Sequence, residues 1–472
     1  MKKFIINIII FICIIFCNIV NAETISDGYI VKVKNTEASL MCVDDELSYI
    51  GENLYRADDI DAIYDCVPSE NIEVIFPDYI CELFDTDYPI TTSDTYFSQQ
   101  WYLDKIGAVS IREKGLSGKG VKIAIIDSGV NTSHYDFNQE NILQGYNCIV
   151  GEKDVNDCSD NFGHGTMVAG IIAAQTDNGL GISGIASNAQ IIPIKITDKI
   201  TFDLSDLLLG LEKAIETDCD IINMSLGVTG LDNDAMAVFK ELIDKAEKKG
   251  KIVIAAAGNT GHLGNAVNYP AGFDNVIGVG AVNEDLTVTE FSQKNKGVFV
   301  TAPGKNIISL YKSGTIASSD GTSFSAPMVT AVTAVIKEVC PNYSIQDIKN
   351  LLMDTSTDAG TEGYDVKYGY GILNVSKIIE ELNENIPDII ISQGILNSKR
   401  RVHIHNNLEN PVVANAYFTL YDDKYDRKII DKSDDINLAG GVTNITLEKD
   451  YDEFFLWDKK LRPYIKKYFI EK

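Results

Sequence analysis

VKIAIID, residues 121–127, is an apolar run interrupted by one lysine and closed by an acid. Such a run reads as a strand buried on both faces, with a carboxylate at its carboxyl end. QIIPIKI (190–196), CDIINMSLG (219–227), KIVIAAAG (251–258) and NVIGVGAV (275–282) repeat the pattern. Helix-like stretches over 204–216 and 233–249 separate several of these runs, and IIAAQ (171–175) closes another helix. Near-continuous apolar strands alternating with helices predict an α/β fold with a mostly parallel central sheet covered on both faces. Ligands of such sheets bind beyond the carboxyl ends of the strands. The loops after Asp127, Gly227 and Gly258 are therefore expected to converge.

Three polar residues stand out against this frame. Asp127 ends the first strand, His164 lies in the Gly-flanked segment NFGHGTMVAG, and Ser323 lies in GTSFSAP. A serine hydroxyl is a poor nucleophile until a base takes its proton, and histidine suits that task near neutral pH. A buried carboxylate then orients the imidazole and stabilises its charged form. AAAGN (255–259) offers the Asn259 side chain as a donor to an oxyanion. Taken alone, Ser323 reads equally as a helix N-cap, and Ser325 ahead of Pro327 also reads as a helix start.

The chain has 472 residues, 45% hydrophobic and 23% charged, which is a globular composition. A net charge of −27 argues against a nucleic-acid partner, which needs a basic face. Residues 1–22, with Lys2 and Lys3, an apolar run to about Val20 and the ending Val20-Asn21-Ala22, read as a signal peptide. The alternative is a membrane anchor, for which the run is short. Once the leader is removed no membrane association is expected. Cys13 and Cys17 leave with it, and seven cysteines remain at spacings that suggest neither a metal cluster nor a dense disulfide framework. Cys148 and Cys158 bracket a polar loop, so a disulfide there and two free thiols are both open. YIVKV (29–33) and NIEVIF (71–76) read as strands of a small α+β unit over 23–84. Residues 85–100 are polar and turn-rich, a linker and the start of the main unit at 101–378. From 386 to 472 short strand runs split by turn residues read as a small antiparallel β-sandwich domain.

The blocks IAIIDSGVNTSHYDF, NFGHGTMVAG, INMSLG, VIAAAGNTG and DGTSFSAPMV, in that order, resemble the signature blocks of the subtilisin-like serine endopeptidases. The resemblance covers residues 97–378 and implies the three-layer fold of that family. By the same resemblance, Ser323 matches the nucleophile, His164 the general base and acid, and Asp127 the orienting carboxylate. Asn259 and the Ser323 backbone N–H match the oxyanion hole. Ser225, Leu226 and Gly227 match the strand edge that binds substrate backbone. Ala256, Ala257 and Gly258 match a wall of the primary specificity pocket, and Asn268 its floor. A polar side chain of that size is expected to shorten the pocket, and no acid in either segment supports a strict basic specificity. Many members carry a second histidine where this chain has Met167 and Met328. The two thioethers are expected to pack together.

Some members build a calcium site from three regions that this chain also has. The carry-over gives carboxylates of Asp94 and Asp136, the Asn178 side-chain oxygen, and backbone carbonyls of Gln175, Leu180 and Ile182. Calcium accepts six to eight such oxygens in flexible geometry. Residues 23–84 resemble the family's propeptide, an intramolecular inhibitor, with VIFPDYICELF as its last strand and the cut near Leu83 or Phe84. The expected protein is a secreted serine endopeptidase acting on proteins or peptides and made as a self-processed zymogen. A dedicated processing protease for one peptide partner and a non-catalytic binding protein on this scaffold are the alternatives.

Overall fold

The structure is a computed structural model. It describes residues 25–34, 47–51, 53–83, 87–90 and 96–387, together with strands between 389 and 469. The leader at 1–22 and Asp94 lie outside the described residues.

The N-terminal unit comprises β1 (Ile25–Val33), β2 (Ser48–Gly51), β3 (Leu54–Ala57), α1 (Ile60–Cys66) and β4 (Ile72–Leu83). Its antiparallel sheet runs β4–β1–β3–β2. Alternation along β1 sends Val31 and Val33 to one face, where they pack with Ile63 and Cys66 of α1. Asp59 caps α1, its carboxylate accepting the Ala62 N–H at 2.8 Å. Cys66 is disulfide-bonded. The expected strands at 29–33 and 71–76 are both present, but β4 continues seven residues further, to Leu83. After it, β5 (Asp87–Ile90) is a short strand within the stretch read as a linker.

The central unit opens with α2 (Trp101–Lys105) and α3 (Val109–Glu113). It continues through β6 (Lys122–Asp127), β7 (Tyr146–Asn147), α4 (His164–Ala173), β8 (Gln190–Lys195), β9 (Thr201–Asp203) and α5 (Leu204–Glu216). Then follow β10 (Ile221–Met224), β11 (Leu226–Gly227), α6 (Asn233–Lys248), β12 (Ile252–Ala256), β13 (Ile277–Val282) and β14 (Val300–Pro303). The unit closes with the hairpin β15 (Ile307–Tyr311) and β16 (Thr315–Ser319), α7 (Thr322–Val339), α8 (Ile345–Thr355) and α9 (Val375–Glu381). α7 begins at Thr322 rather than at Ser325, whose hydroxyl instead bonds the Ala302 and Pro303 carbonyls.

The seven strands β14–β13–β12–β10–β6–β8–β7 form one parallel sheet. In β6, Ile123 and Ile125 join the core under α4 and α7, whereas Ala124 and Ile126 join the core under α5 and α6. Burial on both faces is why the run carries no polar alternation. Each isoleucine so buried contributes roughly 1.5–3 kcal/mol, and Ile125→Ala would cost about 2–5 kcal/mol with its cavity. Met167 and Met328 are both fully buried in the first of these cores. The second core also takes in Ile30, Ile50, Leu54 and Phe76, so the outer face of the N-terminal sheet is buried on α5 and α6.

The C-terminal strands are β17 (Ile389–Leu396), β18 (Lys399–Asn406), β19 (Val412–Asp422), β20 (Arg427–Lys432), β21 (Ile436–Leu438), β22 (Gly441–Thr446), β23 (Glu453–Asp458) and β24 (Pro463–Phe469). They form two antiparallel sheets, β17–β18–β22 and β20–β19–β23–β24, with β21 on β19. Among the described residues no helix is long and apolar enough to cross a membrane.

Candidate active site

The carboxyl ends of β6, β10 and β12 converge, and Asp127, Ser225 and Asn259 lie at or just beyond them. Asp127 and His164 are fully buried, with His164 Nδ1 2.8 Å from Asp127 Oδ1. The same carboxylate oxygen accepts the Ser128 N–H at 2.7 Å. His164 is the first residue of α4, and its N-cap Gly163 has no side chain to satisfy the helix's first N–H groups. Asp160 does this instead. Its carboxylate accepts the N–H groups of Phe162, Gly163 and Thr166 and the Thr166 hydroxyl at 2.6–3.0 Å. It also accepts the Ser128 hydroxyl at 2.9 Å, and Ser128 Oγ in turn accepts the Gly165 N–H. Asp160 therefore ties the end of β6 to the start of α4. Burial pushes its carboxyl above the usual range, against the pull of these hydrogen bonds. Sequence reading missed Asp160, although an acid just ahead of a helix start is a legible signal.

Ser323 is the second residue of α7 and fully buried. The next residue, Phe324, packs tilted against His164 with ring centroids 5.4 Å apart, so the start of α7 lies against the histidine. Ser225 Oγ donates to the Ser323 carbonyl at 2.8 Å. Behind it, Asn223 Nδ2 donates to Ser225 Oγ, and Thr330 Oγ1 donates to Asn223 Oδ1. Asn259 is half-buried, and its Oδ1 accepts both the Thr322 N–H and the Thr322 hydroxyl at 2.9 Å. With Oδ1 so engaged, the amide N–H₂ is the end left to face a ligand.

Ala256, Ala257 and Gly258 continue β12 and are buried. Asn268 is buried beside them, donating from Nδ2 to the Ala257 carbonyl at 3.1 Å. A Cβ on Gly258 would stand 2.1 Å from that amide nitrogen, and Gly258 has φ +108°, so glycine is required twice over. The Asn268 amide thus fills the space under Gly258.

Two strands of the chain itself flank this site. On one side β4 pairs antiparallel with β11, Leu83 opposite Leu226 and Glu82 opposite Gly227. On its other edge β4 pairs with β9, Ile80 opposite Asp203, Cys81 opposite Phe202 and Glu82 opposite Thr201. The second edge, Thr201–Asp203, was not foreseen, because three residues between turns carry little periodicity. On the far side of Ser323, β5 pairs antiparallel with β16, from Asp87 opposite Ser319 to Ile90 opposite Ile316. Phe84 lies outside the described residues. Further back, Asp78 is fully buried and accepts the Ser205 N–H at 2.8 Å, the Ser205 hydroxyl at 2.6 Å and Arg56 Nε at 3.0 Å. It caps α5 from the N-terminal unit, since Asp203 makes no side-chain cap there. Asp206, one turn away, is pushed up to about 8, first by burial and then by the charges of Asp203 and Asp78.

The loop 175–182 folds back on Asp136. The Asp136 carboxylate is fully buried, bonded by Asn178 Nδ2 at 2.6 Å and by the Ile182 N–H at 2.9 Å. Asn178 Oδ1 accepts the Leu180 N–H, and Gln175 Oε1 lies 3.3 Å from Asn178 Nδ2. Burial pushes the Asp136 carboxyl up to about 7. Gly181 must be glycine, since its φ is +53° and a Cβ would stand 2.0 Å from Asp136 Oδ2. The Asn178 amide nitrogen, rather than its oxygen, faces Asp136. No cluster of three or more His, Cys, Asp or Glu side chains able to hold a metal occurs among the described residues. Cys148 and Cys158 are free thiols, which resolves the choice left open by their spacing.

Residues 118–371 match the Subtilase family (Peptidase_S8). The chain is 38% identical over 283 residues to the minor extracellular protease Epr of Bacillus subtilis (strain 168), covering 60% of this chain and 42% of that protein. It is 37% identical over 273 residues to subtilisin DY of Bacillus licheniformis, covering 57% of this chain and 94% of the relative. It is 31% identical over 341 residues to an alkaline protease of Alkalihalobacillus alcalophilus, covering 72% and 84%.

Proposed function

The chain belongs to the subtilase family of serine endopeptidases, and from that premise we propose that it is a secreted protease made as a self-processing, calcium-stabilised zymogen. The relative named as extracellular and the disulfide at Cys66, a bond suited to oxidising compartments, support the secretion reading.

In this reading Ser323 Oγ attacks the scissile carbonyl while His164 Nε2 takes its proton. Asp127 holds the imidazole through Nδ1 and stabilises its charged form. The carbonyl oxygen becomes an oxyanion, which accepts hydrogen bonds from Asn259 Nδ2 and the Ser323 N–H. His164 then returns its proton to the leaving amine, leaving an acyl-enzyme. Water repeats the sequence with His164 as base and releases the acid. The 2.8 Å contact of Asp127 with His164 and the double anchoring of Asn259 Oδ1 support these roles. Ser225–Gly227 bind substrate backbone, and Ala256, Ala257, Gly258 and Asn268 line a primary pocket that Asn268 shortens.

Residues 23–84 act as the propeptide, and the first bond cut lies near Leu83 or Phe84. The observation that carries this is the pairing of β4 with β11 and β9 on one side and of β5 with β16 on the other. A segment so held across the site is bound as a substrate is, by strand addition. The full burial of Asp127, His164 and Ser323 fits a covered, inhibited site.

What supports calcium at the loop 175–182 is a buried carboxylate answered by hydrogen bonds alone, from the Asn178 amide and the Ile182 N–H. Asp136, Asn178 and the carbonyls of Gln175, Leu180 and Ile182 would hold it, with Asp94 completing the set. The ion would supply structural stability and take no part in the reaction. Binding requires the Asn178 amide to turn its oxygen inward.

The test is the intact mass of the purified protein beside its Ser323→Ala variant. Wild type is expected to lose a fragment ending near Phe84, and the variant to keep it. Equal loss in both would assign the cut to another protease, and loss in neither would end the zymogen reading.

A further inference from the structure

The strand β10, Ile-Ile-Asn-Met, carries one polar side chain in the middle of the sheet. Ile221 joins the core under α4 and α7, and Ile222 and Met224 the core under α5 and α6, so alternation turns Asn223 to the α7 face. A fully buried amide is costly there unless both its ends are bonded. Thr330 Oγ1 donates to Asn223 Oδ1 at 2.8 Å, and Asn223 Nδ2 donates to Ser225 Oγ at 2.9 Å. Ser225 Oγ in turn donates to the Ser323 carbonyl at 2.8 Å. All four residues are fully buried, and every donor points toward Ser323, so each bond polarises the next.

We infer that Thr330 is a positioning residue of the reaction, acting through Asn223 and Ser225 to fix the first turns of α7 and with them the Ser323 hydroxyl and N–H. The inference rests on the endopeptidase reading and adds to it a residue two helical turns beyond the nucleophile. The relay ends on a carbonyl with a particular need. The N–H that an α-helix offers to the Ser323 carbonyl is that of residue 327, and Pro327 has none. The relay also begins on a hydroxyl with another option. A helical threonine can turn back to the carbonyl four residues before it, as Thr355 does to Leu351 at 2.6 Å in α8. Thr330 reaches across to β10 instead. Seven residues separate it from Ser323, so both lie on one face of α7. The helix is thus tied to the carboxyl end of β10 at two points, and neither a slide along its axis nor a rotation about it keeps both bonds. Without the Thr330 hydroxyl, Asn223 Oδ1 is a buried acceptor that has lost its donor, and the amide that holds Ser225 is no longer fixed. A nucleophile displaced by about 1 Å loses on the order of a hundredfold in rate, so a smaller shift is enough to be measured.

The test compares the processed wild-type protein with Thr330→Val, Thr330→Ser, Ser225→Ala and the Thr330→Val/Ser225→Ala double variant, at a temperature where circular dichroism shows all of them folded. Thr330→Val keeps the shape of the side chain and loses its donor. We expect kcat on a peptide substrate to fall about tenfold at unchanged KM. Reaction of Ser323 with a fluorophosphonate, which needs no bound peptide, is expected to slow in parallel. Thr330→Ser keeps the hydroxyl and should restore both rates to within about twofold of wild type. In Ser225→Ala the relay is already cut, so adding Thr330→Val should cost about twofold or less. If the valine variant does not fold, Thr330→Ala replaces it with the same expectations. A lower Tm with kcat and the fluorophosphonate rate unchanged, or the full loss repeated in the Ser225→Ala background, overturns the positioning role and leaves the catalytic reading standing. If wild type neither cuts the peptide nor reacts with the fluorophosphonate, both readings fall.

Discussion

His164 Nδ1 lies 2.8 Å from Asp127 Oδ1 with both side chains sealed from solvent. A neutral histidine in this contact must carry its proton on Nδ1, which leaves Nε2 as the basic atom. Asp127→Asn turns a donor toward the ring and favours the opposite tautomer. We expect kcat to fall about 10⁴-fold, the range known for triad carboxylates in serine proteases. The rate at which the intact chain disappears during self-processing reports it. A loss below tenfold would remove Asp127 from the mechanism.

Asn259→Ala is expected to lower kcat by about 10²–10³ with little change in KM, the range already known for this donor in subtilisins. Thr322→Val should give a smaller loss of the same kind, because it frees one of the two bonds that hold Asn259 Oδ1. Peptide hydrolysis by the processed proteins separates the two constants. A rise in KM at constant kcat would instead make Asn259 a ground-state binding residue.

Asp78 reaches from the N-terminal unit to cap α5 and also holds Arg56. Asp78→Ala strips the cap and, among the described residues, leaves the mostly buried guanidinium with the exposed Asp58 as its one ion-paired carboxylate. In a Ser323→Ala background, so that the chain stays whole, we expect a loss of about 2–4 kcal/mol of stability. Urea unfolding measures it, and an unchanged midpoint would show that the docked sheet alone holds the unit.

Calcium should raise the Tm of the processed protein and a chelator lower it. A hundredfold excess over Kd corresponds to about 2.7 kcal/mol. Asp136→Asn is expected to lose the calcium response, and an equal response in the variant would move the ion elsewhere.

The central sheet was legible because a strand buried on both faces has to be apolar throughout. Helix boundaries at 204–216 matched for the same reason of period, and Asp127 and Asn259 follow from where their strands stop, whereas His164 was picked out by its Gly-flanked segment and Asn268 by the family resemblance. The resemblance read VIFPDYICELF as one strand, but what the chain between Asp78 and Ile90 pairs with was not legible. Its pairing with β9, β11 and β16 is fixed by partners more than a hundred residues away, and the polar texture of 85–100 reads as a linker whatever it lies against. The helix start at Thr322 was also displaced, because Ser325 spends its hydroxyl on β14 carbonyls and Pro327 sits inside the first turns of α7.

Asp206 gives a pH dependence whose sign can be worked out. Its carboxyl ordinarily titrates near 3.8 and is pushed up to about 8 in the folded chain, by burial first and then by the negative charges of Asp203 and Asp78. The Val150 N–H at 2.7 Å and the cation of Arg56 pull the other way without prevailing. The folded state therefore binds this proton more tightly than the unfolded one. The stability it contributes is complete below about pH 4 and is lost as pH rises through about 8, with a ceiling of about 1.4 kcal/mol per pH unit. Asp206→Asn keeps an oxygen for the Val150 N–H and cannot ionise. In the uncut Ser323→Ala protein it should come closest to its parent near pH 4 and be clearly more stable near pH 9. Urea unfolding at the two pH values tests this, and an offset that is the same at both would mean that Asp206 is not titrating between them.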